Sequence, residues 1–74
     1  MAEVPTKEVE IVVNGQPRLA PAGCTLLKLL ALLDVDPARV AVELNRSIIQ
    51  RQAWGDTLVG VGATLEIVQF VGGG

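Results

Sequence analysis

Few of the side chains that usually carry chemistry occur in this sequence. It has no His and no Tyr, and its one thiol is Cys24. Cys24 precedes Thr25, where a helix is predicted to begin, and a helix N-terminus can lower a thiol pKa and activate it. A semi-buried structural cysteine is the preferred reading, and Cys24 is not taken as a site residue. Nothing else assembles a nucleophile, a base or a metal site, so the chain is not expected to be an enzyme. What remains is Gly72-Gly73-Gly74. Glycine is costly to order and has no side chain to pack, so three at a terminus add nothing to folding. The predicted last strand runs into them without a polar linker, which sets them apart from an ordinary frayed end.

The composition narrows what these glycines can serve. The chain has 74 residues, half of them hydrophobic, which predicts one domain over 1–74 with an aliphatic core. Its aromatic residues are Trp54 and Phe70 alone. The eight acids and six bases are scattered, giving a net charge of −2. No basic patch is visible to neutralise phosphates, so nucleic acid is not an expected partner. The longest apolar stretch, Leu26 to Val35, is interrupted by Lys28 and Asp34 and is too short to span a bilayer. The lone cysteine excludes an internal disulfide and fits a reducing compartment. The N-terminus, with Glu3, Lys7 and Glu8, does not read as a signal peptide. A soluble, cytoplasmic protein without a membrane partner is expected.

The elements that must position the tail follow from periodicity. Met1 to Lys7 reads as a short arm. From Glu8, residues Val9, Ile11 and Val13 alternate with Glu8, Glu10 and Val12, predicting a strand. Asn14-Gly15 is a strong hairpin signal because both residues tolerate positive φ. A second strand runs through Arg18 to Ala20, and Pro17 gives it an irregular or edge position because proline cannot donate to a ladder. Thr25 is a fitting N-cap for a helix from Leu26 to about Leu33. That helix presents Leu26, Leu29, Leu30 and Leu33 on one side, and Asp34 to Pro37 end it. Val40, Val42 and Leu44 predict a third strand, Asn45-Arg46-Ser47 a turn, Ile48-Ile49 a return segment, and Arg51 to Trp54 one helical turn. A final strand is predicted from Thr64 to about Val71, with Leu65 and Ile67 on one face and Glu66, Val68 and Phe70 on the other. The order predicts an α+β roll in which one main helix covers one face of the sheet. Val68 and Phe70, on the other face, are then candidates for a partner-docking surface. Trp54 is assigned to the core boundary, and Arg51 to solvent or an acidic partner.

These segments together resemble a known family, the ThiS sulfur carriers of thiazole synthesis in thiamine biosynthesis. The matching stretches are Val9-Glu10-Ile11-Val12-Val13-Asn14-Gly15, the leucine-rich helix after Thr25, Val40-Ala41-Val42-Glu43-Leu44-Asn45, Ile49-Gln50-Arg51-Gln52-Ala53-Trp54, and Leu65 through Gly74. Family members often carry an Asp-Gly-Asp turn before the last strand, where this chain has Gly60-Val61-Gly62-Ala63, and the N-terminal arm is longer than the family minimum.

The resemblance implies a ubiquitin-like β-grasp fold with a mixed sheet and a flexible Gly-Gly tail. It also implies a carrier cycle with no bound cofactor. A ThiF-type adenylyltransferase would use ATP to adenylate the Gly74 carboxylate, and a sulfur donor such as a cysteine desulfurase would supply the sulfur. The resulting thiocarboxylate would feed a ThiG-type thiazole synthase. Gly73 and Gly72 would enter the partner's narrow active site, where a Cβ would clash, and Phe70 and Val68 would dock outside it. The small subunit of molybdopterin synthase, another MoaD-like carrier, a ubiquitin-like modifier and a plain interaction domain stay open as alternatives.

Overall fold

The computed structural model describes residues 7–70; the N-terminal arm up to Thr6, Val71 and the three tail glycines lie outside it. The first strand, β1 (Glu8–Val13), turns at Asn14-Gly15 into β2 (Gln16–Pro21). The turn residues have φ of 50° and 81°, as a two-residue hairpin of this hand requires. Pro17 stands opposite Val12, whose own N–H points the other way, to Ala63 C=O at 2.9 Å. The ladder therefore asks no hydrogen bond of Pro17, and β2 is an edge strand as expected.

Helix α1 (Leu26–Leu32) begins where Thr25 Oγ1 accepts the Lys28 N–H at 3.1 Å. Leu26, Leu29 and Leu30 are buried, whereas Leu33 is the half-buried C-cap residue rather than part of the last turn. The stop differs from the proline-driven one expected. Asp34 takes a left-handed φ of 61°, its N–H bonds Ala31 C=O, and Val35 N–H closes back on Leu30 C=O at 3.0 Å. Pro37 instead starts a 3₁₀ turn, Pro37–Arg39, capped by Asp36 Oδ1 on the Ala38 N–H at 3.0 Å.

Strand β3 (Val40–Leu44) buries Val40, Val42 and Leu44, and a two-residue turn at Asn45-Arg46 leads to β4 (Ser47–Ile49). The 3₁₀ segment that follows spans Arg51–Asp56, longer than the single turn predicted. Thr57 Oγ1 donates to Ala53 C=O at 2.7 Å and extends it past Gly55. Its anchor is Trp54, which is buried and donates its indole N–H to Ile49 C=O at 2.9 Å, while the Arg51 guanidinium lies 5.5 Å over its ring. The next residues bond to the start of α1, with Leu26 N–H on Thr57 C=O and Val59 N–H on Cys24 C=O. Val59 is thereby buried, and so is Cys24.

Strand β5 (Thr64–Gln69) closes the sheet in the order β2-β1-β5-β3-β4, parallel to β1 and antiparallel to β3. The core lies between one face of this mixed sheet and α1. Ile11, Ala20, Leu26, Leu30 and Leu65 are fully buried there. The expected α+β roll, with one main helix on one face, is what forms.

Candidate functional site

Gly72, Gly73 and Gly74 lie outside the described residues, so the structure defines the root of the tail rather than the tail. That root is β5, the middle strand of five. Its backbone groups alternate between two neighbours. Towards β3, Thr64 C=O accepts from Asn45 N–H at 2.7 Å, and Phe70 N–H donates to Arg39 C=O at 2.7 Å. Towards β1, Leu65 C=O accepts from Asn14 N–H at 2.8 Å. Strand β1 pairs with β5 only at Val12–Thr64 and Val13–Leu65, because the chain turns away at Asn14. Beyond that point the Asn14 side chain takes over, bonding both the N–H and the C=O of Ile67.

The side chains of β5 divide as the alternation predicts. Leu65 is fully buried and Ile67 half-buried against the core. Val68 and Phe70 are 58% and 51% exposed, on the sheet face away from α1. That face holds more than the sequence suggested. Ala41, Val42, Glu43, Ile48, Glu66 and Val68 line a shallow depression of about 250 Å³. Ile48 was legible in part, since consecutive residues of a strand point to opposite faces and only one of Ile48 and Ile49 can turn inward. Ile49 does so and is half-buried, which leaves Ile48 74% exposed.

Glu43 and Glu66 were not singled out from sequence. They stand directly opposite one another on β3 and β5, an arrangement in which like charges repel. Among the described residues the ion pair present is Arg39 with Asp36 at 3.7 Å, elsewhere on the surface. The lining of the depression is thus mostly apolar, with Glu43 and Glu66 as its two acidic residues. No helix among the described residues is long and apolar enough to cross a membrane.

A five-stranded mixed sheet closed by a central strand, with one helix across one face and glycines after the last strand, defines a small ubiquitin-like protein of the β-grasp type. The model of the ThiS family matches residues 4–74, and the chain belongs to that family. The sulfur carrier protein ThiS of Escherichia coli is 32% identical over 66 residues, covering 89% of this chain and 100% of that protein. A thiazole synthase of Paramagnetospirillum magneticum is 41% identical over 66 residues, covering 89% of this chain. This chain spans 20% of the length of that synthase, and the same share of a second one, from Magnetococcus marinus. The crystal structure of a thiamine biosynthesis protein (ThiS) from Geobacter metallireducens superposes with a TM-score of 0.79 at 33% identity, covering 89% of this chain and 100% of that one.

Proposed function

We propose that this chain is a sulfur carrier of thiamine thiazole synthesis whose reactive group is the carboxylate of Gly74. The observation that carries the reading is the family match, which runs through β5 and the glycines to residue 74. The carrier named among its relatives is matched over its whole length. Similarity to a segment of two thiazole synthases supports a ThiG-type synthase as the acceptor of the sulfur.

The chemistry needs little from the carrier. A carboxylate is a poor electrophile. Its attack on ATP in the ThiF-type partner releases pyrophosphate and leaves an acyl-adenylate. A sulfur nucleophile from the donor, such as a cysteine desulfurase, then displaces AMP. Sulfide gives the thiocarboxylate directly. A donor persulfide gives an acyl disulfide, whose S–S bond a second thiol cleaves, forming a disulfide with the donor sulfur and releasing the thiocarboxylate. The anionic sulfur of the thiocarboxylate attacks in the synthase. Proton transfer falls to the partners, so the absence of His and Tyr from the sequence costs the reaction nothing. Ordering the tail in a partner's channel costs about 1–2 kcal/mol per residue, which docking contacts must offset.

The deciding experiment is the intact mass of the protein after incubation with its adenylating enzyme, ATP and a sulfide source. The expected result is a gain equal to exchanging one oxygen for sulfur, localised to the peptide that ends at Gly74. An unchanged mass, beside a control carrier that is converted, sinks the proposal.

Val68 and Phe70 are assigned to docking on the same reading. Phe70→Ala is expected to raise KM for the adenylating enzyme about tenfold, the scale of a lost aromatic anchor. Because the ring is half exposed and off the core, the melting temperature should move by no more than ~2 °C. A large fall in melting temperature would place Phe70 in the folding core instead.

A further inference from the structure

Two asparagines hold β5 from opposite sides and near opposite ends. Each opens a two-residue turn at positive φ, 50° for Asn14 and 51° for Asn45. Asn45 Oδ1 accepts the Thr64 N–H at 3.0 Å, where the strand begins. Asn14 reaches a residue 53 positions away, near the end of the strand that leads into the tail. Its Oδ1 accepts the Ile67 N–H at 2.7 Å and its Nδ2 donates to the Ile67 C=O at 3.2 Å. A planar amide offers one acceptor and donors in one plane, so it reproduces the pair of bonds a neighbouring strand would make. Strand β1 cannot make them, having ended at Val13.

From Ile67 to Phe70, then, the strand is fixed on one side by β3 and the Arg39 carbonyl and on the other by a single side chain. On the carrier reading, Val71 to Gly74 separate Phe70 from the reacting carboxylate, a reach of at most about 14 Å when extended. Over so short a reach, freedom at the root becomes uncertainty in the position of the terminal carboxylate.

We propose that Asn14 is a positioning residue for the carrier reaction, its amide fixing the direction in which the chain leaves β5 towards the partner's active site. This role rests on the sulfur-carrier reading above. Loosening the strand end adds at least one residue that must be reordered when the tail enters, which corresponds to about a tenfold loss of efficiency.

The test compares Asn14→Gly with Asn45→Gly. Glycine tolerates the positive φ of both turns and removes the side-chain amide, and the added backbone freedom is common to the two variants. With each variant verified as folded at the assay temperature, kcat/KM for pyrophosphate release by the adenylating enzyme and amide exchange at Ile67 and Phe70 are measured. Asn14→Gly should lose about tenfold in kcat/KM and expose the Ile67 and Phe70 amides to faster exchange. Asn45→Gly removes a bond to the same strand at the end remote from the tail, and should keep the wild-type rate. A wild-type rate in Asn14→Gly, or equal losses in the two glycine variants, overturns the positioning role. Unchanged exchange at Ile67 overturns the clamp itself. If the wild-type chain is not adenylated at all, the carrier reading fails and the role fails with it.

Discussion

A chain lengthened by one alanine after Gly74 is expected to be converted to thiocarboxylate at least about a hundredfold more slowly than one ending at Gly74. The extension moves the terminal carboxylate by about 3.5 Å and places a methyl group where glycine had none. Misplacing a reacting atom by even ~1 Å can cost on the order of a hundredfold in rate. The fold should not notice the change, because the core is built from residues between Ile11 and Leu65. Conversion is followed by intact mass over time, with the melting temperature as the control for folding. This prediction separates classes of function as well as testing a residue. A protein that works by binding alone should keep its partners when extended, whereas a carrier should lose its turnover. Conversion of the extended chain at the unextended rate would mean that Gly74 is not the reacting end, and the proposed function would fall.

Trp54→Ala is expected to cost the domain a large part of its stability. Removing a buried Trp side chain costs about 3–5 kcal/mol in lost transfer energy and cavity formation. Trp54 is 2% exposed, one of the largest side chains in the core, and its indole N–H bonds the Ile49 carbonyl at 2.9 Å. A chain of this size has roughly 4–11 kcal/mol to lose. Each kcal/mol corresponds to about 4–8 °C for a domain of 60–100 residues, so a fall of roughly 15–30 °C is expected in a thermal melt followed by circular dichroism. Trp54→Phe fills most of the volume but leaves the Ile49 carbonyl without its donor, and should cost about 1–2 kcal/mol. A shift of only a few degrees in Trp54→Ala would contradict the burial of this ring. Substitutions at the two aromatic residues of the chain, Trp54 and Phe70, are expected to fail in opposite ways. One should lose folding and the other binding.

Much of this was legible from local pattern because backbone geometry is periodic. Successive strand residues point to opposite faces whatever the strand pairs with. Alternation therefore sorted Leu65 and Ile67 from Val68 and Phe70 before any neighbour of β5 was known. The hairpin at Asn14-Gly15, the Thr25 cap and the leucine spacing of α1 are likewise set within a few residues. Where a local rule was read too simply, it failed locally. The helix ends about where expected, but the stop is made by a left-handed Asp34 and the closure of the Val35 N–H on the Leu30 carbonyl, not by the proline. The segment Thr57–Val59 carried no periodic signal, and its backbone is fixed by bonding to residues 24–26, far away in sequence.

The sequence by itself determined which residues share a face, where the chain turns, and that it carries glycines after its last strand. Tertiary structure alone decided that β5 lies in the middle of the sheet beside β1, and that Glu43 meets Glu66 next to Ile48. It also decided that Asn14 does more than make a turn. The reason is the range of the interactions. A turn asparagine is recognisable from its neighbours, but its side-chain bonds go to a residue 53 positions away. No spacing rule reaches that far, and only closing the sheet brings the two together.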